Sequence, residues 1–524
     1  VAQEPRPVIP GFHPDPSVVR VEEDYFLVTS SFEYFPGVPL FHSTNLTDWT
    51  QIGHVLNRRA QLDLSRAKPS GGIYAPTIRH HGGRFWMITT NVDDDGGQIL
   101  VSATDPRGPW SDPVRIPGAA GIDPDLAWDD AGRLFVTFAT FDAATITSVI
   151  RQAEVDPVTG NVQGEPIELW QGTGHKFPEG PHLYRINDYW YLMLAEGGTE
   201  RGHSVVIARG PTPQGPFEAN PTGPILTRRG YPGTLQNTGH ADLVQRPDGS
   251  WAMVFLGVRV RGGSHGFHGL GRETFAAEVR WQDGWPVVGD LLSPTVAHPS
   301  AISSTVTGTS SGTAVSTVTD VLTDFSAQLG YEWVSSGPAS GSPVAALGDG
   351  SLLLNSARYS DVFLGRRQEQ LFAEATVSIE PGSGRGALVL RLTPTHEYSV
   401  EVSASTVAAV SQVGAVRAVV VQRTHSTEWP GSSRESTSVT VYVAVVPETS
   451  GSGGPDCVAL GYMKDGERVE LARLDGRYLC TEVAGGFTGR LFGIVSADGQ
   501  PAFKHFRYRG SDDATALALD APAV

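Results

Sequence analysis

One short phrase occurs five times in the first three hundred residues, and it constrains the fold more than any other feature of the chain. A small or acidic head is followed by alternating apolar residues, a polar turn and an aromatic-rich strand. The copies begin at Asp15 (D-P-S-V-V-R-V-E-E-D-Y-F-L-V-T), Ala75 (A-P-T-I-R-H-H-G-G-R-F-W-M-I-T), Asp123 (D-P-D-L-A-W-D-D-A-G-R-L-F-V-T), Glu179 (E-G-P-H-L-Y-R-I-N-D-Y-W-Y-L-M) and His240 (H-A-D-L-V-Q-R-P-D-G-S-W-A-M-V). The heads recur every ~50–60 residues, close to the length of a four-stranded propeller blade. Turn signals punctuate each unit: E-E-D at 22–24, G-G at 82–83, D-D-A-G at 129–132, N-D at 187–188 and P-D-G at 247–249. Strands are predicted beside them at 25–29, 85–89 and 189–194, and further ones at 40–43 and 99–103. No amphipathic helix of about ten residues or more interrupts this half.

The expected fold is therefore all-β, with an N-terminal five-bladed β-propeller over 1–298. After W-Q-D-G-W-P-V-V (281–288) the character changes, and 299–319 is a Ser/Thr/Gly-rich segment with the composition of a linker. A second β-rich region follows over 320–524. Alternating stretches at 373–379, 387–392, 398–402, 439–445 and 490–496 predict a C-terminal β-sandwich, with an exposed polar loop at 424–438.

Composition narrows the partners. Gly (61) and Pro (37) make up roughly a fifth of the chain, which suits turn-rich β structure. A formal charge of −17 argues against nucleic acid or an anionic membrane, both of which call for basic patches. No apolar run reaches the ~20 residues of a membrane-spanning helix. The opening V-A-Q-E-P-R-P lacks the pattern of a signal peptide, so a cytoplasmic location is expected, or secretion where a signal was removed before residue 1. Cys457 and Cys480 allow free thiols or one disulfide, but no cysteine-based metal site.

In a propeller the innermost strands run along one axis, so equivalent positions converge. Asp15, Asp123, Glu179 and His240 should then face one another. Gathering acids is costly because like charges raise one another's pKa, and such clusters serve catalysis or metal binding. Glycoside hydrolysis uses this arrangement: one carboxyl stays protonated to donate to the leaving oxygen, and another stays ionised on the opposite face. A third acid can hold the donor's pKa up. A lone Asp before Pro is ordinarily a turn residue; three acids at equivalent repeat positions are not explained that way.

Seven ordered motifs carry a resemblance: G-F-H-P-D-P-S (11–17), S-S-F-E-Y-F-P-G-V-P (30–39), G-G-I-Y-A-P (71–76), G-I-D-P-D-L (121–126), E-G-P-H-L-Y (179–184), T-G-H-A-D-L (238–243) and L-G-R-E-T (270–274). In this order they resemble glycoside hydrolase family 43, in its two-domain β-xylosidase/α-L-arabinofuranosidase group. F-L-G-R-R-Q (363–368) and E-V-A-G-G-F-T-G (482–489) resemble that group's C-terminal sandwich. The resemblance implies an inverting enzyme in which Asp15 is the general base, Glu179 the general acid and Asp123 the residue that orients Glu179 and raises its pKa. Inversion implies a carboxyl separation of roughly 6.5–9.5 Å between base and acid.

By the same resemblance, Phe32 and Tyr74 are pocket-wall aromatics (many relatives carry Trp at the latter), and Glu196 and Thr199 line the rim. Arg272 contacts substrate hydroxyls, unless it is a packing arginine, and Phe487 projects from the sandwich to close the site. His240 either sits beside a calcium ion held through waters or is a satisfied core histidine; no cofactor is required, and calcium would be structural or tune a pKa. Two departures stand out. Asp125 adds a carboxyl where Ser is frequent and, by period-two alternation, shares the face of Asp123, from where it could perturb Glu179. Pro178 stands where Thr is frequent.

The implied activity is exo-acting release of terminal D-xylose, L-arabinofuranose or both from xylo- and arabino-oligosaccharides, by a monomer or a homo-oligomer. Two alternatives remain at this level: removal of arabinose side chains from arabinoxylan or arabinan polymers, and a non-catalytic carbohydrate-binding protein. Retaining fructan-active propellers open on Asn-Asp-Pro-Asn, whereas this chain has His-Pro-Asp-Pro.

Overall fold

The computed structural model describes residues 4–142, 147–264, 266–295, 318–337, 345–347, 350–354, 362–424 and 438–517. It divides into two compact units, Val1–Arg259 with Arg272–Thr295, and Val260–Gly271 with Val296–Val524.

The first unit is a five-bladed β-propeller. Blade 1 holds β1 (Ser17–Val21), β2 (Asp24–Val28), β3 (Gly37–Ser43) and β4 (Thr50–Leu56), and blade 2 holds β5 (Thr77–His81), β6 (Arg84–Thr90), β7 (Gln98–Ala103) and β8 (Val114–Ile116). Blade 3 holds β9 (Ile122–Trp128), β10 (Leu134–Asp142), β11 (Thr147–Val155) and β12 (Val162–Trp170). Blade 4 holds β13 (Glu179–Ile186), β14 (Tyr189–Glu196), β15 (Ser204–Gly210) and two short strands on β15, β16 (Glu218–Ala219) and β17 (Leu226–Thr227). Blade 5 holds β18 (Leu235–Gln245), β19 (Trp251–Arg259), β20 (Glu273–Gln282) and β21 (Trp285–Leu292). Each blade is an antiparallel meander, and no helix occurs among the described residues of this unit.

Both faces of every blade are covered by neighbours, which explains why the middle strands read as unbroken apolar runs. Consecutive residues serve opposite cores. Phe26 and Val28 pack toward blade 2 with Ile78 and Met87, while Leu27 packs toward blade 5 with Val254. Ile88 joins Leu126, Val136 and Phe138 of blade 3. Leu192 meets Ala139 and Ile150, and its neighbour Met193 meets Leu243 and Phe255. Each such side chain contributes ~1.5–3 kcal/mol of burial. The ring closes without exchanging a strand: Ile9 pairs with Thr274 of β20, and Glu273 accepts from Gly11 N–H while ion-paired to Arg259.

The chain leaves blade 5 after Arg259, contributes Val260–Gly271 to the second unit and returns at Arg272. That unit is a β-sandwich. One sheet runs through Ala345–Leu347, Ser351–Leu353, Ala502–Ser511, Phe372–Glu380, Val439–Val446, Cys457–Lys464 and Glu467–Asp475, with Thr319–Thr323 also on Ala502–Ser511. The other runs through Trp333–Ser336, Phe363–Arg367, Leu491–Asp498, Arg385–Thr393, His396–Ser403, Thr406–Val413 and Val416–Thr424. Their inner faces share one core that includes Val377, Leu390, Val443, Phe492 and Phe503. Below it, Arg490 donates from one guanidinium nitrogen to both oxygens of Asp456 (3.0 and 2.9 Å). Gly263 N–H donates to Gly453 O, and His268 bonds Glu482 at 2.6 Å, which ties the inserted loop into the unit.

Both cysteines are buried free thiols, and burial pushes Cys480 up to about 12. Most of the linker-like segment, 299–317, and of the polar loop, 425–437, lies outside the described residues. Thr319 already belongs to a strand. No helix among the described residues is long and apolar enough to cross a membrane.

Candidate active site

The repeat heads are aimed inward by distorted backbone. Asp15, Asp123 and His240 all adopt left-handed dihedrals (φ 56°, 55° and 45°), a region non-glycine residues rarely visit and which concentrates at functional sites. Bulges accompany them. One extra residue sits on β9 around Asp123, one on β13 just after Glu179, and more on β18 around His240. Bulges re-aim side chains beside active sites, and here they take Asp123 and His240 out of the ladder register, while Glu179 stays paired with Ala195.

Asp15 is buried. Its Oδ2 accepts from Ser30 Oγ at 2.6 Å, its Oδ1 accepts from Arg272 Nη1 at 3.1 Å, and His240 Nδ1 lies 3.5 Å from Oδ1. Burial raises the Asp15 pKa, but Arg272, His240 and Ser30 outweigh it and hold the carboxyl below its ordinary value. Asp123 shows the opposite balance: burial, Glu179 and Asp15 push it well up, although Gly180 N–H donates to its Oδ2 at 3.1 Å. Glu179, part-exposed, is raised to about 7 by burial and by the charge of Asp15, against the smaller pull of Arg272 and Lys176. One end of the axis therefore carries a carboxylate held toward its ionised form beside two carboxyls pushed toward their protonated forms.

The other predicted residues divide. Arg272 bridges Asp15 and Thr199 Oγ1 (3.2 Å) and lies 5.7 Å from the Phe32 ring. Phe32 and Tyr74 pack 5.2 Å apart, and the Tyr74 hydroxyl donates to Ser70 O. Thr199 serves by holding Arg272. Glu196 does not line a rim: it is wholly buried, and its two oxygens accept from the N–H and the hydroxyl of Thr173, both at 2.5 Å. It anchors the loop that leads to Glu179, and Gly172 has no room for a Cβ against it. Phe487 belongs to the second unit, beyond the short helix Thr481–Ala484, and is 37% exposed.

A second ring lies one step along each inner strand, and only one of its members, Asp125, was singled out from sequence. Arg79 on β5 donates through Nη1 to Asp242 Oδ2 (2.8 Å) and Ser17 Oγ (3.2 Å), and through Nη2 to Asp125 Oδ1 (2.7 Å) and His182 Nδ1 (2.9 Å). Asp125 also accepts from Leu183 N–H, and Asp242 from Ser17 Oγ, Val18 N–H and the Tyr184 hydroxyl. All five blades meet at this guanidinium. Asp125 does face inward, as alternation predicts, but it is spent on Arg79 and is not among the groups that shift Glu179. His203 is another addition; its Nδ1 lies 2.9 Å from Asn237 O, and burial lowers it to about 4.

The axial acids and His240 do not fit a calcium ion held directly by side chains. Calcium takes about six to eight oxygen ligands. The Asp15 oxygens are committed to Ser30 and Arg272, and those of Asp125 and Asp242 to the network around Arg79. Among the described residues no three His, Cys, Asp or Glu side chains converge as metal ligands. His240 packs its ring over Gly180, and burial lowers its pKa to about 4 against the opposing pull of Asp15.

An open groove of about 800 Å³ runs over blade 3 as far as Pro178, beside Glu179, lined by Phe141, Arg151, Glu168, Lys176 and Phe177 among others. Phe141 and Phe177 lie 6.1 Å apart, and Phe177 stands two residues before Glu179.

Residues 5–286 match Glycosyl hydrolases family 43, and residues 326–509 match the Beta xylosidase C-terminal Concanavalin A-like domain. A non-reducing end alpha-L-arabinofuranosidase of Bacteroides ovatus is 45% identical over 288 residues, 54% of this chain and 53% of that protein. A Xylosidase/arabinosidase of Butyrivibrio fibrisolvens is 45% identical over 294 residues, covering 54% and 56%. These matches span about half the length of the curated relatives. The solved Bacteroides ovatus Xyloglucan PUL GH43B aligns with 97% of this chain and 99% of its own, with a TM-score of 0.80 and 31% identity. The family match covers the propeller from before β1 to the start of β21, with its ring of acidic heads, and the chain belongs to glycosyl hydrolases family 43.

Proposed function

We propose that this chain is an inverting, exo-acting glycoside hydrolase that releases terminal D-xylose, L-arabinofuranose or both from xylan- and arabinoxylan-derived oligosaccharides. The observation that carries it is the opposed pair of carboxyls: Asp15 held low by Arg272, His240 and Ser30, and Glu179 raised to about 7. That division of protonation is what an inverting glycosidase needs.

In this reading Glu179 gives its proton to the glycosidic oxygen as the bond from that oxygen to the anomeric carbon breaks. A water on the opposite face of the sugar supplies the new bond to carbon, and Asp15 takes the proton that water loses. Asp123 is a positioning residue: it accepts from Gly180 N–H beside Glu179, and the two neighbouring carboxyls resist ionising together. Arg272 does double service, keeping Asp15 ionised and contacting sugar hydroxyls beside the Phe32 and Tyr74 rings. In this reading the leaving chain runs along the groove that reaches Pro178, next to Glu179, where the aromatic pair suits a following sugar.

The names of the relatives, an arabinofuranosidase and a xylosidase/arabinosidase, support activity on both sugars. Assays with para-nitrophenyl β-D-xyloside and α-L-arabinofuranoside test this. Turnover of at least one is expected, with product of inverted anomeric configuration by NMR. Failure on both, or a retained anomer, would remove the assignment.

A further inference from the structure

The family resemblance makes a calcium ion at the propeller axis an expectation, and the axis of this chain has a cation of its own. Arg79 is the one positive side chain in the second ring. It lies against Asp125 and Asp242, both wholly buried, and its own side chain is only 14% exposed. Two buried carboxylates side by side are costly unless a cation neutralises them. Arg79 meets both with short hydrogen bonds, and Asp242 is held below its ordinary pKa despite burial, with Arg79 the main opposing influence.

The neighbours of this guanidinium leave little for an ion to coordinate. The second Asp242 oxygen accepts from Tyr184, and the second Asp125 oxygen accepts from Leu183 N–H. His182 faces Arg79 with Nδ1 at 2.9 Å. The same Nδ1 lies 3.1 Å from Asp125 Oδ1, so the ring is held between the guanidinium and the carboxylate. Ser17, Arg79, Asp125, His182 with Tyr184, and Asp242 come from blades 1 to 5 in turn.

We propose that Arg79 is the built-in axial cation of this propeller, joining the five inner strands and neutralising the buried acids, so that the chain folds and turns over without a divalent metal. Arg79 is a positioning residue: it fixes the strands that carry Asp15, Asp123, Glu179 and His240, and none of its assigned bonds reaches those heads.

Thermal melting tests this independently of any substrate. The native chain, dialysed against EDTA and then given 1–10 mM calcium chloride, is expected to melt within about one degree of its starting temperature throughout. Its activity on whichever nitrophenyl glycoside it cleaves should be equally indifferent. Arg79→Ala exposes Asp125 and Asp242 to each other; it should melt lower by on the order of 10 °C, and calcium should restore several degrees of that loss. Loss of melting temperature in the native chain on EDTA treatment, recovered by calcium, overturns the proposal. So does an Arg79→Ala chain that melts like the native one or that calcium leaves unchanged. Should Arg79→Ala fail to fold, the native EDTA series still decides, alongside Arg79→Lys. Lysine keeps the charge but loses the fork, so that variant is expected to melt between the native chain and complete loss and to ignore calcium.

Discussion

Asp15 and Arg272 stand 257 positions apart in the chain and 3.1 Å apart in space, carboxylate Oδ1 to guanidinium Nη1. Arg272 lowers the pKa of both Asp15 and Glu179. Removing its charge should therefore move both limbs of the pH profile in one direction. Arg272→Met is expected to shift the acidic and the basic limb of kcat/KM to higher pH together, besides raising KM through lost sugar contacts. A pH-rate series on native and variant chains checks this; a change in KM with both limbs fixed would make Arg272 a binding residue alone.

The basic limb belongs to Glu179. Its folded pKa is raised to about 7, so activity should fall as pH passes 7 and the donor loses its proton. The stability sign follows from linkage. A carboxyl whose folded pKa lies above its unfolded value stabilises the fold most when protonated, below about pH 4, and that contribution is lost as pH rises through 7. Glu179→Gln should thus abolish most turnover while raising the melting temperature at pH 8 relative to the native chain, by the equivalent of about 1–3 kcal/mol. At pH 4 the two should melt alike. Differential scanning calorimetry at the two pH values reads the difference.

Asp15→Asn keeps the shape and the Ser30 contact but removes the base. A loss in kcat of ~10²–10⁴ is expected, with KM changed far less. Circular dichroism should show an unchanged β fold, since Asp15 fills no apolar core. Activity retained within tenfold would place the base elsewhere.

Much of this was legible in sequence because the acids head a repeat, and a repeat in a closed ring converts sequence equivalence into spatial convergence. Asp15, Asp123, Glu179 and His240 needed only the period. Arg79 did not announce itself: its phrase is headed by Ala75, and I-R-H-H reads as a strand with one solvated face. Asp125 and Asp242 fall two residues after their heads, but Arg79 falls four after Ala75 and His182 three after Glu179, and bulges at Asp123, after Glu179 and at His240 disturb simple alternation. Glu196 was misplaced for a non-local reason: its burial depends on Thr173 folding back over it, which no local pattern encodes. The transfer of Val260–Gly271 to the second unit was equally hidden, because V-R-G-G-S-H-G-F-H-G-L-G looks like any turn-rich connection between strands.

Gly180 separates the donor from the ring of His240. Its φ is +56°, and an added Cβ would come within 2.8 Å of His240 Nε2. Gly180→Ala should cost roughly 1–3 kcal/mol from the left-handed backbone and must also displace the histidine that helps keep Asp15 ionised. The expected result is a lower melting temperature with an acidic limb moved to higher pH. A variant with native melting and native pH dependence would show that the backbone here relaxes freely.

The groove over blade 3 makes the last prediction, which concerns the leaving chain rather than the cleaved sugar. Phe141 is 56% exposed and pairs with Phe177, immediately before the donor strand, with Lys176 over the Phe177 ring at 5.4 Å. An exposed aromatic pair beside hydrogen-bonding side chains suits the apolar face and hydroxyl edge of a sugar. Phe141→Ala forfeits that contact, worth about 1 kcal/mol, or roughly fivefold in affinity. KM should rise by that factor for xylotetraose and stay near the native value for xylobiose, whose leaving sugar is too short to reach outward. Equal effects on the two substrates would place the leaving chain along another path.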